Sequence, residues 1–443
     1  SEYMAPSERD NFEIAMKLSL FGIGAVLRSE DGYAKVLAIV PGGPADVDKR
    51  LKVNDRIAGV GQGDAGAMVD VVDMKLNKAV ELIRGPKNTI VRLSVIPSSA
   101  TDPATRNEIR LKRDEIKLVD QEAKAKLIER KNGKDKSLRM GYIALPSFYA
   151  DMKFGPESKS TTHDILRLIE KLQSLHIDGL VLDLRRNGGG SLAEVTMLTG
   201  LFLGKGPVVQ IKDSSGEVHI GEAPAAKNNH SVQYDGALVV LVDRISASAS
   251  EIFAAALQDY GRAVIVGDQS TFGKGTVQRV EELTRYLSSN QGKEAKGGAL
   301  KFTTQKFYRV SGGSTQYRGV IPDIQLPSLL DYLKINEASL KNALPYDEVP
   351  RANYPPVNRV APWLNELREH SKDRVAHDPE FGYIREDIGR LKVQLEEKSV
   401  SLNESKRLKD KKADTDRVDL RKKERQARKK EESKVTEITL ESL

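Results

Sequence analysis

The sequence predicts an α/β chain of about three domains: a small strand-rich region, a layered βα region, and a charged helical end. Three observations carry this. The length of 443 residues corresponds to about three domains at roughly 150 residues each. From about 140 to 325, buried-strand runs alternate with amphipathic helical stretches, the pattern of an α/β layer domain. After about 350 the chain turns polar and helical. Hydrophobic residues at 39% and charged residues at 30% fit an ordinary, slightly polar globular chain with a sizeable core.

The first region, about 15 to 117, reads as short strands and one helix. Gly22 to Arg28 and Tyr33 to Val40 are β-type runs, and Pro41-Gly42-Gly43-Pro44 is a turn cluster. Leu51 to Ile57 leads into another strand. Leu76, Ala79, Val80 and Ile83 recur at helical spacing, and Gly85-Pro86 ends that helix. Ile90 to Ile96 alternates as a last strand. Taken alone, Gly22 and Gly24 need do no more than permit a turn.

This order resembles a PDZ domain of the circularly permuted bacterial type. The carrying residues are Leu18 to Gly24, the Gly42-Gly43-Pro44-Ala45 turn, Val53-Asn54-Asp55, and the helix ending Ile83-Arg84-Gly85-Pro86. The resemblance implies that a Gly-rich loop at a sheet edge offers backbone N–H groups to a chain-terminal carboxylate, with the peptide added as an extra strand. It places Leu20, Phe21, Gly22, Ile23 and Gly24 at the carboxylate, and Leu76, Ala79 and Val80 along the side-chain pocket.

The middle region begins with the strand Met140 to Leu145 and an amphipathic helix marked by Ile165, Leu168, Ile169 and Leu172. Gly179 to Leu184 is a buried strand, followed by Gly188-Gly189-Gly190 and a helical stretch from Ser191. Ala237 to Val242 is a second buried strand leading to a helix over Glu251 to Tyr260, and Ala263 to Val266 is a third. Pro350, Pro355, Pro356 and Pro362 mark the boundary to the helical end.

Composition excludes several functions. Without cysteine there is no disulfide scaffold, thiolate zinc site, iron–sulfur cluster or cysteine nucleophile. No apolar run approaches the ~20 residues that span a bilayer. The net charge of +7 invites a nucleic-acid reading, but Ser405 to Ser433 holds 13 Lys/Arg against 7 Asp/Glu and therefore most of the excess. That tail has acids mixed in and no aromatic residue for stacking on bases. A solvated helical face is expected there, and no nucleic-acid partner.

The chemistry lies in two stretches, Asp243 to Glu251 and Gly267 to Gln278. Ser248 and Glu251 have the spacing of a capping box, which needs no catalysis. Gly267 to Lys274 resembles a phosphate loop, but it has one residue too many, and Gly275 stands where a hydroxyl would hold the metal. The third reading is nucleophilic. A serine opening a helix lies beside free N–H groups, and the amide of Ala249 can donate to an oxyanion. None of the six histidines, His163, His176, His219, His230, His370 and His377, stands in a catalytic pattern. Lysine can replace histidine as base if burial lowers its pKa from about 10.4 by roughly 3–5 units. Gly273 and Gly275 would let Lys274 pack tightly in a dry site, and Gln278 could orient its nitrogen. Ser246 and Ser250 remain rival nucleophiles.

These two stretches resemble the C-terminal processing proteases, peptidase family S41, and most closely the tail-specific members of Gram-negative periplasms. Further matching segments are Asp183 to Gly190, Gln305 to Val310, Ser311-Gly312-Gly313 and Gly319-Val320-Ile321-Pro322-Asp323. The resemblance makes Ser248 the nucleophile, Lys274 the general base and Gln278 the lysine-orienting group, with oxyanion donors at the amides of Gly189 and Ala249. Asp259, at a position that affects activity in the family, reads as structural. The implied fold is a crotonase-like (ClpP/crotonase) α/β protease core with an inserted PDZ domain and a C-terminal helical domain. The expected division is 1–14 as the remnant of an N-terminal region, 15–117 as PDZ, 118–350 as core and 351–443 as helical end. Only about 14 residues precede the PDZ region, so either a fragment lacking a helical N-terminal domain or a shortened relative is expected.

The function so implied is a serine endopeptidase that recognises apolar C-terminal tails of protein substrates, needs no metal and no cofactor, and works in the periplasm. A helical-repeat lipoprotein adaptor would be its further partner and would bring it to the membrane surface. The rival from another class is a PDZ peptide-binding scaffold with an inactive protease body.

Overall fold

Hairpin chemistry shapes the first part of the chain. In the computed structural model, which describes all residues except 103, 132–136, 152–157, 225–231, 288–296 and 429–432, Asp31 and Gly32 both take positive φ, 51° and 79°. They form the tight turn between the antiparallel strands Ala25–Glu30 and Tyr33–Ile39. His230 and the tail residues 429–432 of the sequence reading lie outside the described residues. The chain clusters into two compact units, 1–122 with 280–301, and 123–279 with 302–443. The boundary expected at 350 falls inside the second.

In the first unit a sheet runs in the order Ala25–Glu30, Tyr33–Ile39, Arg56–Gln62, Ile90–Ile96, Asn107–Lys112. Val36, Ile57, Val60, Leu93 and Leu111 form its buried core, and the helix Leu76–Ile83 seats Ala79 and Ile83 on it. Those two positions are four apart and so lie on one helix face. The buried guanidinium of Arg113 caps that helix: Nε donates to the Ile83 carbonyl at 2.8 Å and Nη2 to Leu82 at 3.0 Å. Gly85 makes room for it, since a Cβ there would lie 2.9 Å from Arg113 Cζ.

Two expectations are corrected here. Ile90–Ile96 is not the last strand, because Asn107–Lys112 and Asp114–Lys117 follow. The run Gly22 to Arg28 is broken at Gly24, whose φ is 74°; Ser19–Gly22 pairs instead with Asp114–Lys117. Residues 1–14, expected as the remnant of an N-terminal region, run into the helix Pro6–Lys17, with Pro at its start and the Glu8 carboxylate accepting the Ala5 N–H at 2.7 Å.

The second unit is built on a seven-stranded sheet in the order Ile324–Gln325, Val264–Gly267, Ala237–Val242, Gly179–Asp183, Ser137–Ala144, Lys124–Lys131, Lys434–Ile438. The first five strands run parallel, Lys124–Lys131 runs against them, and Lys434–Ile438, antiparallel to that strand, runs with the five. The helices Thr161–Ser174, Leu192–Leu203 and Ala249–Asp259 make the crossovers. Because Gly179–Asp183, Ala237–Val242 and Val264–Gly267 are neighbours, the three loops leaving their C-terminal ends emerge side by side, where open α/β sheets place their sites.

The end of the chain is helical over Leu364–His377, Pro379–Glu397 and Glu404–Ala427. The last helix buries no side chain and is held by ion pairs, Arg421 to Asp387 at 2.9 Å and Arg425 to Glu380 at 2.8 Å. The helical expectation fails at the very end. Lys434–Ile438 returns to pair with Lys124–Lys131 as the edge strand of the sheet, with Ile438 buried. Among the described residues no helix is long and apolar enough to cross a membrane.

Candidate active site

The helix Ala249–Asp259 opens at Ser248, whose φ is 54° and ψ −112°. A non-glycine residue held there costs of order 1–3 kcal/mol, and such strain recurs where a strand turns sharply into a helix to present a nucleophile. The capping box is half made. The Glu251 carboxylate accepts the Ser248 N–H at 2.8 Å, but the Glu251 N–H donates to the Ser248 backbone carbonyl at 2.9 Å, and the Ser248 hydroxyl makes no cap bond.

The neighbouring serines are spent. Ser246 Oγ donates to the Leu184 carbonyl at 2.8 Å and accepts the Asp243 N–H at 2.9 Å. Ser250 Oγ donates to the Asn187 carbonyl at 2.8 Å, and both residues are buried. Ser248 alone of the three is partly exposed.

Glu251 is fully buried and gathers four donors. Oε1 accepts Thr271 Oγ1 at 2.6 Å and the Gly273 N–H at 2.7 Å; Oε2 accepts the N–H of Ser248 at 2.8 Å and of Lys274 at 3.1 Å. Burial pushes its pKa up to about 7, against the pull of these bonds. The amide nitrogens of Ser248 and Lys274 therefore share one oxygen atom. The Phe272 N–H donates to the Ser246 carbonyl at 3.0 Å, a second tie between the two loops.

Lys274 Nζ donates to Gln278 Oε1 at 3.1 Å, the pairing expected from sequence. The dry pocket is not found: Lys274 is half-buried and Gln278 exposed, because Gln278 lies on the strand Thr276–Glu282 that leaves the loop. That strand also disposes of the phosphate-loop reading, which needs a helix N-terminus at this point. The flanking glycines answer to close contacts. A Cβ on Gly273, whose φ is 95°, would lie 3.0 Å from the Tyr317 carbonyl, and one on Gly275 would lie 2.7 Å from Ser314 Oγ.

The glycine loop is pressed against the serine turn. A Cβ on Gly189 would lie 2.8 Å from Ser248 Cβ and 3.0 Å from the Ala249 nitrogen. The Gly189 N–H, expected as an oxyanion donor, donates to Asn187 Oδ1 at 2.9 Å. Asn187 also accepts the Ala247 N–H on its backbone carbonyl at 3.1 Å, so it binds the two loops together. An oxyanion meeting Gly189 would have to displace the Asn187 oxygen.

Residues 139–326 match the model of peptidase family S41, residues 12–96 that of the PDZ domain, and residues 330–442 that of the C-terminal domain of tail specific protease. Residues 139–326 are a peptidase family S41 domain. Over 424 residues the chain is 40% identical to the tail-specific protease of Haemophilus influenzae, covering 95% of this chain and 57% of that one. It is 30% identical over 340 residues to the carboxy-terminal-processing protease of Bartonella bacilliformis, covering 73% and 65%. The chain thus spans less than two thirds of either relative's length. Among solved structures it is similar to a PDZ domain of a carboxy-terminal protease from Vibrio cholerae in complex with a peptide. That match has 44% identity, 23% of this chain, all of that one, and a TM-score of 0.22.

In the S41 domain the sequence reading missed the segment that holds the lysine loop from its other side. Thr315 Oγ1 donates to the Lys274 carbonyl at 2.6 Å, the Tyr317 N–H to the Gly273 carbonyl at 2.9 Å, and the Gly275 N–H to Gln316 Oε1 at 2.8 Å. The Thr271 N–H donates to the Val320 carbonyl at 3.1 Å, and the Val320 N–H to Thr271 Oγ1 at 2.7 Å. No periodicity marks Thr315 or Gln316. Asp259, expected as structural, is held in place: Arg309 grips both carboxylate oxygens at 3.1 and 2.5 Å, and Ser311 Oγ donates at 3.0 Å.

In the PDZ domain the pocket residues divide. Ile23 and Ala79 are core, 3% and 1% exposed, whereas Leu20, Phe21, Leu76 and Val80 remain partly open. Gly22 and Gly24 are buried, and a Cβ on Gly24 would lie 3.1 Å from Gly43 Cα. Ala25–Glu30 is an edge strand beside the helix Leu76–Ile83.

Proposed function

We propose that the chain is a serine endopeptidase in which Ser248 attacks a substrate carbonyl and Lys274 is the general base. The observation that carries this is the strained Ser248 turn sharing a Glu251 oxygen with the Lys274 amide, while the hydroxyls of Ser246 and Ser250 are spent. Neutral Lys274 takes the hydroxyl proton as Ser248 Oγ bonds to the carbonyl carbon. The tetrahedral oxyanion lies against the Ala249 N–H, joined by the Gly189 N–H once Asn187 yields it. Collapse breaks the peptide bond, the leaving amine takes the proton from Lys274, and water releases the acyl group by the same route. Gln278 Oε1 orients Nζ without the full charge that would raise its pKa.

The PDZ domain binds apolar C-terminal tails. The peptide adds to the open edge of Ala25–Glu30, its carboxylate near Leu20 to Gly24 and its last side chain toward Leu76 and Val80. Work in a Gram-negative periplasm, alongside a helical-repeat lipoprotein adaptor that gives peripheral membrane association, completes the reading. The expected division into 15–117, 118–350 and 351–443 is part of it. The rival, an inactive tail-binding scaffold, draws on the engaged Gly189 N–H.

The deciding experiment uses an unfolded reporter with an apolar C-terminal tail. Cleavage is expected from the wild type and not from Ser248→Ala, with tail binding equal in both. Equal cleavage by the two sinks the nucleophile assignment, and no cleavage by either favours the scaffold.

A further inference from the structure

We propose that Glu337 is a positioning residue for Lys274, acting through the side chain of Gln316, so that the stretch matching the tail-specific C-terminal domain holds the general base in place. This rests on the reading of Lys274 as base. Gln316 is 1% exposed and both ends of its amide are used. Oε1 accepts the Gly275 N–H at 2.8 Å; Nε2 donates to Glu337 Oε1 at 3.0 Å and to the Leu344 carbonyl at 2.9 Å.

The partners settle which end of the amide is which. A backbone N–H can only donate, while a carboxylate and a carbonyl accept. Glu337 and Leu344 therefore hold the NH₂ end and leave the oxygen for Gly275. Without the carboxylate, one of the two acceptors that forbid a flip is gone, and a flipped amide would set NH₂ against the Gly275 N–H.

Glu337 grips the same loop twice. Its own N–H donates to the Phe272 carbonyl at 2.9 Å, two residues before Lys274, and its side chain acts through Gln316 one residue after. Asp331 adds a third grip, accepting the Gln269 N–H at 3.0 Å. The loop needs such outside restraint, because Gly273 and Gly275 on either side of Lys274 leave its backbone unusually free. A base displaced by about 1 Å loses on the order of 100-fold in rate.

The test measures kcat and KM of the full chain on the apolar-tailed reporter, together with affinity for the tail peptide. Glu337→Ala and Gln316→Met are expected to lower kcat at least about tenfold, with KM and tail affinity within twofold of wild type. Glu337→Gln, which keeps an oxygen facing Gln316 Nε2, recovers most of the rate, and the double variant is no worse than the weaker single one because both act on one path. Should a truncation fail to fold, Glu337→Asp takes its place under the same thresholds. A kcat within twofold of wild type in Glu337→Ala and Gln316→Met overturns the proposal, as does a fall in tail affinity that matches the fall in rate. Lys274→Ala separates the two readings. If it is dead while Glu337→Ala is fully active, only the relay fails; if it cleaves like wild type, the base assignment fails by itself.

Discussion

The carboxylate of Glu251 accepts the backbone N–H of Ser248 at 2.8 Å from full burial, three residues along the helix that Ser248 opens. Glu251→Ala leaves four donors without their acceptor, in Ser248, Thr271, Gly273 and Lys274. Each orphaned buried donor costs about 1–3 kcal/mol. Thermal unfolding should show a loss of several kcal/mol, and cleavage of the tailed reporter should fall about 100-fold or more as both loops shift.

The same group sets a pH dependence. Its folded pKa near 7 stands above the ordinary 4.5, so between those values the folded chain holds a proton that the unfolded chain has lost. The contribution to stability is fully present below about 4.5 and is lost as pH rises to 7. The melting temperature of the wild type relative to Glu251→Gln should fall across that window and level off above it. A flat difference between pH 4.5 and 7 would contradict the raised value.

Gly189→Ala places a methyl 2.8 Å from Ser248 Cβ, at a φ of 104° that L residues rarely adopt. Cleavage should be lost, while tail-peptide affinity, measured by titration, stays at the wild-type value. Retained cleavage would show that the glycine loop does not pack on the serine turn during the reaction.

Asp259→Ala removes the partner of Arg309, whose side chain is itself 20% exposed. Breaking a pair this buried costs about 3 kcal/mol, and denaturant unfolding should report it. Activity lost together with that stability would mean that the Asp259 position acts through the seat of the helix that carries Ser248. An unchanged unfolding midpoint with lost activity would point instead to direct participation.

Val80→Lys puts a charge on the partly open face of the helix beside the edge strand. Tail-peptide affinity should fall about tenfold or more, while the melting temperature stays within a few degrees. Unchanged affinity would move the pocket elsewhere.

Much of this was legible along the chain. The continuous apolar run Ala237–Val242 and the spacing of Leu76, Ala79 and Ile83 identify elements, because a central strand covered on both faces is apolar throughout and a helix buries one face at helical period. The Ser248, Lys274 and Gln278 set was readable from motif resemblance, and the Lys274–Gln278 bond followed. The strand Lys434–Ile438 was not readable, since an edge strand with four exposed residues out of five has too little apolar pattern to report.

Composition, periodicity and motif spacing were enough to read the classes of element, most of their order, and the two short stretches where chemistry could reside. The folded arrangement alone shows which of three serines keeps its hydroxyl unspent, that Glu251 joins two loops as well as capping a helix, and that Glu337 reaches the Gly275 amide through Gln316. The reason is physical. Periodicity reports how one element meets the core, but hydrogen bonds between loops from different strands, such as the pair Gly275 and Gln316 standing 41 positions apart, leave no repeating trace in the chain.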